Sequence, residues 1–233
     1  MSVIDSELLF GNQSPFDIAD EEARKIILEQ GRLSKKKKGE AIYLAGDSVD
    51  NVILILSGQV QVSKTDVGGR SVLIHPAVAG SWVGFVGYFY NGCWPYDLIV
   101  MRECEFFSVS KSTLEAVTKL NPLIYRRILE IMAYYSSFFA DHLMGFVCKP
   151  LNIRVTQALI SFSERYKTNE IPLTQSDLAA FLGVTREAVA QQLGQLQKSK
   201  HIASGYRKII ILDRVSLLEM SSITHGDGLQ ELS

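Results

Sequence analysis

The chain has 233 residues, 47% of them hydrophobic and 21% charged, with a formal net charge of −1. That balance excludes bulk disorder and fibrous repeats, and the length accommodates two domains. Met1 to Glu7 carries no basic segment ahead of an apolar run, and the most apolar helical stretch, Ile131 to Val147, is broken by Ser136, Ser137, Asp141 and His142; a soluble, cytoplasmic protein with no membrane contact is expected.

Residues 20 to 31 read as a short helix, followed by the run Lys35 to Lys38. Nothing aromatic is interleaved with those lysines, so they read as a solvated strand edge rather than a nucleic-acid site. From Gly39 to about Ser110 come short apolar runs: Ala41 to Leu44, Val52 to Leu56, Val60 to Ser63, Val72 to His75, Leu98 to Met101 and Glu105 to Val109. Turn signals at Gly46-Asp47, Ser57-Gly58, Gly68-Gly69, Gly80 and Gly84 separate them, the even spacing of an antiparallel sandwich or roll.

Trp82, Phe85, Tyr88, Phe89, Tyr90, Trp94 and Tyr96 fall within one short segment of this β region. Such a set suits a flat apolar or aromatic ligand, with tyrosine hydroxyls to orient a phenol or carboxylate; equally, the rings fill the core. Cys93, Cys104 and Cys148 show no C-x-x-C spacing, and their odd number suits a reducing compartment, where they read as small buried hydrophobes.

Lys111 to Leu120 reads as a helix, and Asn121-Pro122 is the start signal of another. Along Leu123 to Val147 the apolar positions Ile124, Ile128, Ile131, Met132, Tyr135, Phe138, Phe139, Leu143, Phe146 and Val147 form a stripe too wide for one partner. The β region supplies one partner and the same helix of a second subunit the other, in a two-fold pair; the alternative is a helix buried within one subunit. Lys149-Pro150 ends the helix at a hinge, and Leu151 to Tyr166 opens a new domain.

Leu173 to Leu196 then spells two short helices joined by a tight turn. Leu178, Ala179 and Leu182 make the inner face of the first, Gly183 the turn, and Val189, Leu193 and Leu196 the inner face of the second. Thr174 with Asp177 forms a capping box, and Thr185 caps the second helix with Glu187 in its first turn. This is the pattern of a helix-turn-helix, whose second helix reads the major groove of DNA; an ordinary core hairpin is the plain alternative. Two β runs follow around Ser204-Gly205-Tyr206, with Arg207 and Lys208 behind, which makes the element winged. Lys149 to Arg214 carries ten Lys or Arg against five Asp or Glu, a net +5 in a chain that is nearly neutral. A basic third on an acidic body is the electrostatic footprint of a duplex-binding module. On the second helix Thr185, Arg186, Glu187 and Gln191 face away from the apolar stripe: Arg186 suits guanine, Glu187 cytosine and Gln191 adenine, while Lys200, Arg207 and Lys208 supply salt-sensitive phosphate contacts.

The expected fold is α+β, in four parts: a cyclic-nucleotide-binding-like or cupin-like antiparallel β-roll with a short N-terminal helix over 1–113, a dimerisation helix and hinge over 114–149, a winged helix-turn-helix over 150–223, and a tail over 224–233. This order, with Gly39-Glu40, Gly46-Asp47, Gly58 and Gly80-Ser-Trp-Val-Gly84, resembles the CRP/FNR family of bacterial transcription regulators over roughly residues 20 to 215. The resemblance implies a β-roll sensor, a homodimer through the long helix, a palindromic double-stranded operator contacted from Thr174 and the second helix, RNA polymerase as a partner, and no catalytic activity.

Cyclic-nucleotide sensors of that family carry a Gly-Glu pair and then an Arg-Ser pair in the ligand cassette. Here Phe85 stands for the acid and Tyr96-Asp97 for Arg-Ser, so cyclic AMP and cyclic GMP are rejected as effectors. The cassette, together with Ala133-Tyr134-Tyr135, is similar to the halophenol-sensing branch typified by the regulator CprK. An effector site is therefore expected from Trp82, Phe85, Tyr88, Phe89, Trp94 and Tyr96 with Tyr134, Tyr135 and Phe138. No cofactor is expected, because the first cysteine is Cys93, too late for an N-terminal iron–sulfur cluster, and a lone His75 in a strand is a weak haem ligand. Other readings are a constitutive regulator with a scaffold roll, a haem or redox sensor, and a cupin-type enzyme, which would need several converging histidines where only His75 lies.

Overall fold

A computed structural model describes residues 6–12, 14–65, 67–68, 71–90 and 92–222, apart from the side chains at 141, 142, 146, 147 and 222; the expected tail over 224–233 lies outside the described residues. The chain divides into two compact units, Met1–Phe138 and Phe139–Ser233.

In the first unit α1 (Ser6–Phe10) and α2 (Glu21–Gln30) precede β1 (Arg32–Lys36), β2 (Ala41–Tyr43), β3 (Asn51–Thr65), β4 (Ser71–Val78) and β5 (Trp82–Val83). Then come α3 (Phe85–Tyr90), β6 (Asp97–Ser110), α4 (Lys111–Leu120) and α5 (Leu123–Cys148), the last of which runs on into the second unit. The sheet is antiparallel throughout, in the order β1-β6-β3-β4, with β2 also on β6 and β5 on β3.

Two expectations need correction. Ser57-Gly58 is not a turn between strands but an irregularity inside the single strand β3, and the two runs at 98–101 and 105–109 are likewise one strand, β6. Gly58 has φ 86, and a Cβ there would lie 2.1 Å from the Glu103 carbonyl oxygen, so the glycine serves close strand approach at a bulge. The cysteine reading holds for Cys104 alone, since Cys93 is half-buried and Cys148 exposed.

Period-two alternation divides the core. On β3, Ile53 and Ile55 point into the roll with Val60 and Val62, whereas Val52 and Leu54 point to the helices. On β6, Leu98, Val100, Cys104 and Phe106 face the interior, and Phe107 and Val109 face Phe16, Ile27, Leu114 and Ile124. The helices that cover this outer face are capped by their sequence: the Asp20 carboxylate accepts the Ala23 N–H at 2.8 Å, Ser110 Oγ that of Thr113, and Asn121 Oδ1 that of Leu123 at 3.2 Å. Ile124 and Ile128 anchor α5 to this core, and the half-buried pair Arg127–Asp17, 3.0 Å apart, ties it to the N-terminal segment. Leu129, Tyr134, Leu143 and Met144 on the same helix remain exposed. Lys35 lies on the edge strand β1, 3.5 Å from Glu105.

The second unit contains α6 (Leu151–Tyr166), β7 (Glu170–Ile171), α7 (Gln175–Leu182), α8 (Arg186–Lys198), β8 (Ile202–Gly205), β9 (Lys208–Ile211) and α9 (Arg214–Ser222), with sheet order β7-β9-β8. Phe162 on α6 meets Phe181 on α7 at 4.8 Å between ring centroids, and Leu178, Ala179, Val189 and Leu193 are all buried. Among the described residues no helix is long and apolar enough to cross a membrane.

Candidate nucleic-acid interface and sensor cassette

The local geometry of α7 and α8 follows from their ends. Thr174 Oγ1 accepts the Asp177 N–H at 3.1 Å while Asp177 Oδ2 accepts the Thr174 N–H at 2.9 Å, a complete capping box. Gly183 ends α7 at φ 64, its N–H donating to the Ala179 carbonyl. Thr185 Oγ1 accepts the Ala188 N–H at 3.2 Å and starts α8. The turn thus holds the two helices at a fixed crossing over the small, buried Ala179.

With Val189, Leu193 and Leu196 turned inward, α8 leaves Arg186, Glu187 and Gln191 exposed. Gln195 and Lys198 continue the line of Glu187 and Gln191 on that face; sequence reasoning passed over them, although the same 3.6-residue period predicts them. Gln192 is half-buried. Thr174 is also half-buried, and its hydroxyl, besides accepting, donates to Asp177 Oδ2 at 2.6 Å. Lys200 and Arg207 are exposed, but Lys208 turns back to Glu170, with Nζ 2.7 Å from Oε1. The hairpin turn consists of Tyr206 and Arg207, one residue later than the sequence suggested, and puts Tyr206 at its tip with 90% of its surface exposed.

The aromatic set of the first unit divides into three places. Trp82 and Phe85 are buried on the helix side of the sheet, where Trp82 meets Phe16 edge-on at 5.0 Å. Trp94 fills the roll interior, stacked on Tyr43 at 4.2 Å and 16°, with Tyr96 packed at the same cluster. Tyr88 touches both cores; Phe89, half exposed, lies edge-on to Tyr88 at 4.7 Å and to Tyr125 of α5 at 6.2 Å. Burial, then the nearby Tyr125 and Glu115, pushes the Tyr88 phenol up to about 12. Farther along α5, Tyr135 lies nearly parallel to His75 of β4 at 5.9 Å, Tyr134 is exposed and Phe138 half-buried. Tyr43 and Tyr125 join the aromatic groups although the sequence reading did not single them out.

A β-roll followed by a long helix and a winged helix-turn-helix defines a DNA-binding transcription regulator with an N-terminal domain of ligand-binding type. Residues 33–121 match the cyclic nucleotide-binding domain and residues 153–220 the Crp-like helix-turn-helix domain. The chain belongs to the CRP/FNR family of transcription regulators, a family of regulators and not of enzymes. It is 22% identical over 203 residues to the transcriptional activator protein FnrL of Cereibacter sphaeroides, covering 82% of this chain and 81% of the relative. It is also 22% identical over 221 residues to the fumarate and nitrate reduction regulatory protein of Escherichia coli K12, covering 91% and 87%. The structure of FixK2 from Bradyrhizobium japonicum superposes with a TM-score of 0.74 at 21% identity, covering 83% of this chain and 98% of that one. CprK complexed with OCPA gives 0.64 at 18% identity, covering 87% and 94%. The chain is thus no nearer to CprK than to FNR-like regulators, and the comparisons do not single out the halophenol branch.

Segment 84–97 contains no Lys or Arg to receive a phosphate. Phe85 is buried toward the helices, and the Asp97 carboxylate accepts the Ala45 N–H at 2.9 Å and faces Thr65 Oγ1 at 3.4 Å, where it would repel an anion.

Proposed function

We propose that two copies of this chain pair through α5 and present two α8 helices to a palindromic duplex, so that operator occupancy controls access of RNA polymerase. The observation that carries the reading is the exposed Arg186, Glu187 and Gln191 face of α8 within a stretch, residues 149 to 214, of net +5 charge. Pairing is supported by Leu129, Ala133, Ser136, Ala140 and Leu143, all exposed and spaced alternately by four and three, the seam of a two-stranded coil with small residues that permit close approach.

The effector on this reading is a small aromatic or apolar compound rather than a cyclic nucleotide, as in the halophenol branch. Its contacts are the rings that remain accessible near α5: Tyr88, Phe89, Tyr134, Tyr135 and Phe138. A compound that binds one packing of α5 against the roll more tightly than another shifts the operator affinity, since only differential binding can do so. Trp82, Phe85 and Trp94 serve as core.

One observation favours a second reading, a regulator whose roll is a scaffold. Trp94 is 3% exposed, its backbone is held by Gly46 and Asp47 at 2.8 Å each, and its ring reaches to 3.2 Å of the place a Cβ on Gly84 would take. An indole so fixed occupies interior space at the cassette. Operator affinity and melting temperature measured with a panel of phenols and aromatic acids separate the two: a compound that raises both supports the sensor, and a panel that moves neither supports the scaffold.

A further inference from the structure

We propose that the wing tip, Tyr206 with Arg207, enters the minor groove beside each half-site and confers a preference for A/T-rich flanks that α8 does not read. The proposal rests on the duplex-binding reading above.

Three non-glycine residues among those described adopt positive φ: Lys167, Lys200 and Arg207, at 52°, 60° and 54°. The backbone there is unfavourable for any residue with a Cβ, and glycine or asparagine takes it at less cost. Lys167 caps α6 and Lys200 lies just beyond α8, where carbonyl ends attract a cation. Arg207 has no helix end to repay it. It occupies the second position of a two-residue turn closed by Gly205 and Lys208, with its side chain in solvent. A strained position held by a long cation, where glycine would fold more readily, points to a role for that side chain.

The neighbours sharpen the role. Lys208 pairs with Glu170, while Arg207 is exposed beside the almost fully exposed Tyr206. β8 begins four residues after the end of α8 and packs against it. Four residues of strand span about 13 Å, comparable with a major groove of about 12 Å. With α8 in the major groove, the hairpin tip reaches the sugar–phosphate wall and the adjacent minor groove. A guanidinium is favoured in a minor groove narrowed by A/T steps, where the negative potential is strongest. The Tyr206 ring packs on the sugar, and its hydroxyl donates to a phosphate.

The test is selection of duplexes from a random pool by the full-length protein and by Y206A, R207A and R207G, with salt titrations of the selected sites. R207G keeps the backbone conformation and relieves its strain, so it folds at least as stably as the parent. The expected result is A/T enrichment flanking each half-site for the parent, loss of that enrichment with an unchanged central motif for all three variants, and a log–log salt slope for R207A reduced by about 0.9 per wing engaged. Identical flanks and slopes in parent and variants overturn the proposal while leaving α8 readout standing. A parent that selects no sequence brings down both readings.

Discussion

Gly183 and Gly194 belong to the same helix-turn-helix and have opposite energetic signs. Gly183 ends α7 at φ 64, so Gly183→Ala forces a Cβ into the left-handed region and should destabilise the protein by about 1 kcal/mol. Gly194 lies inside α8 with nothing within 4 Å of an added Cβ, so Gly194→Ala should stabilise by about 0.5–1 kcal/mol. Urea unfolding followed by circular dichroism reads both. Arg186→Ala should cost about 1–3 kcal/mol of discrimination at one base pair per half-site, whereas Lys200→Ala should weaken all duplexes equally; competition binding against single-base variants distinguishes them. The cysteines give a pH-dependent contrast. Burial, with Glu105 adding to it, pushes the Cys104 thiol up to about 11 from 9.0. Its folded pKa is raised, so the associated stability is present below pH 9 and is lost as pH rises through about 11. At pH 8 iodoacetamide should label the exposed Cys148 rapidly and leave Cys104 unmodified until the chain unfolds; equal rates at the two sites would contradict the burial.

At the scale of elements, the long pairing of β3 with β6 carries the roll, and its weak point is Gly58. Gly58→Ala must either move the Glu103 carbonyl or break the register, at a cost of several kcal/mol. A melting temperature for that variant within a degree or two of the parent would show that the bulge is not needed. The same glycine explains what the sequence could and could not tell. Caps at Asp20, Ser110, Asn121, Thr174 and Thr185, and the apolar period of α8, are local signals, and the helices they delimit lie where the pattern puts them. A bulge is decided by the partner strand, so Ser57-Gly58 reads as a turn until β6 is in place. The division of the aromatic cassette was hidden for a related reason. Spacing cannot tell that Trp82 and Phe85 face the helices while Trp94 faces the roll interior, because α3 breaks the period-two alternation between them. The pairing of Lys208 with Glu170 could not be read locally, because the two residues lie 38 positions apart.

The chain combines a roll, a helix with an exposed apolar seam, and a helix-turn-helix. If α5 pairs through that seam, Leu129→Glu places like charges across the two-fold axis and should shift the protein from dimer to monomer in sedimentation. Operator affinity should fall with it, because each half-site alone supplies only part of the contact energy.

The most direct measurement titrates the full-length protein against a duplex selected from a random pool, and against a scrambled duplex of equal length, at physiological ionic strength. The account predicts two chains per selected duplex and a preference of at least about 10³ over the scrambled one. One chain per duplex, or equal affinity for both sequences, would contradict it.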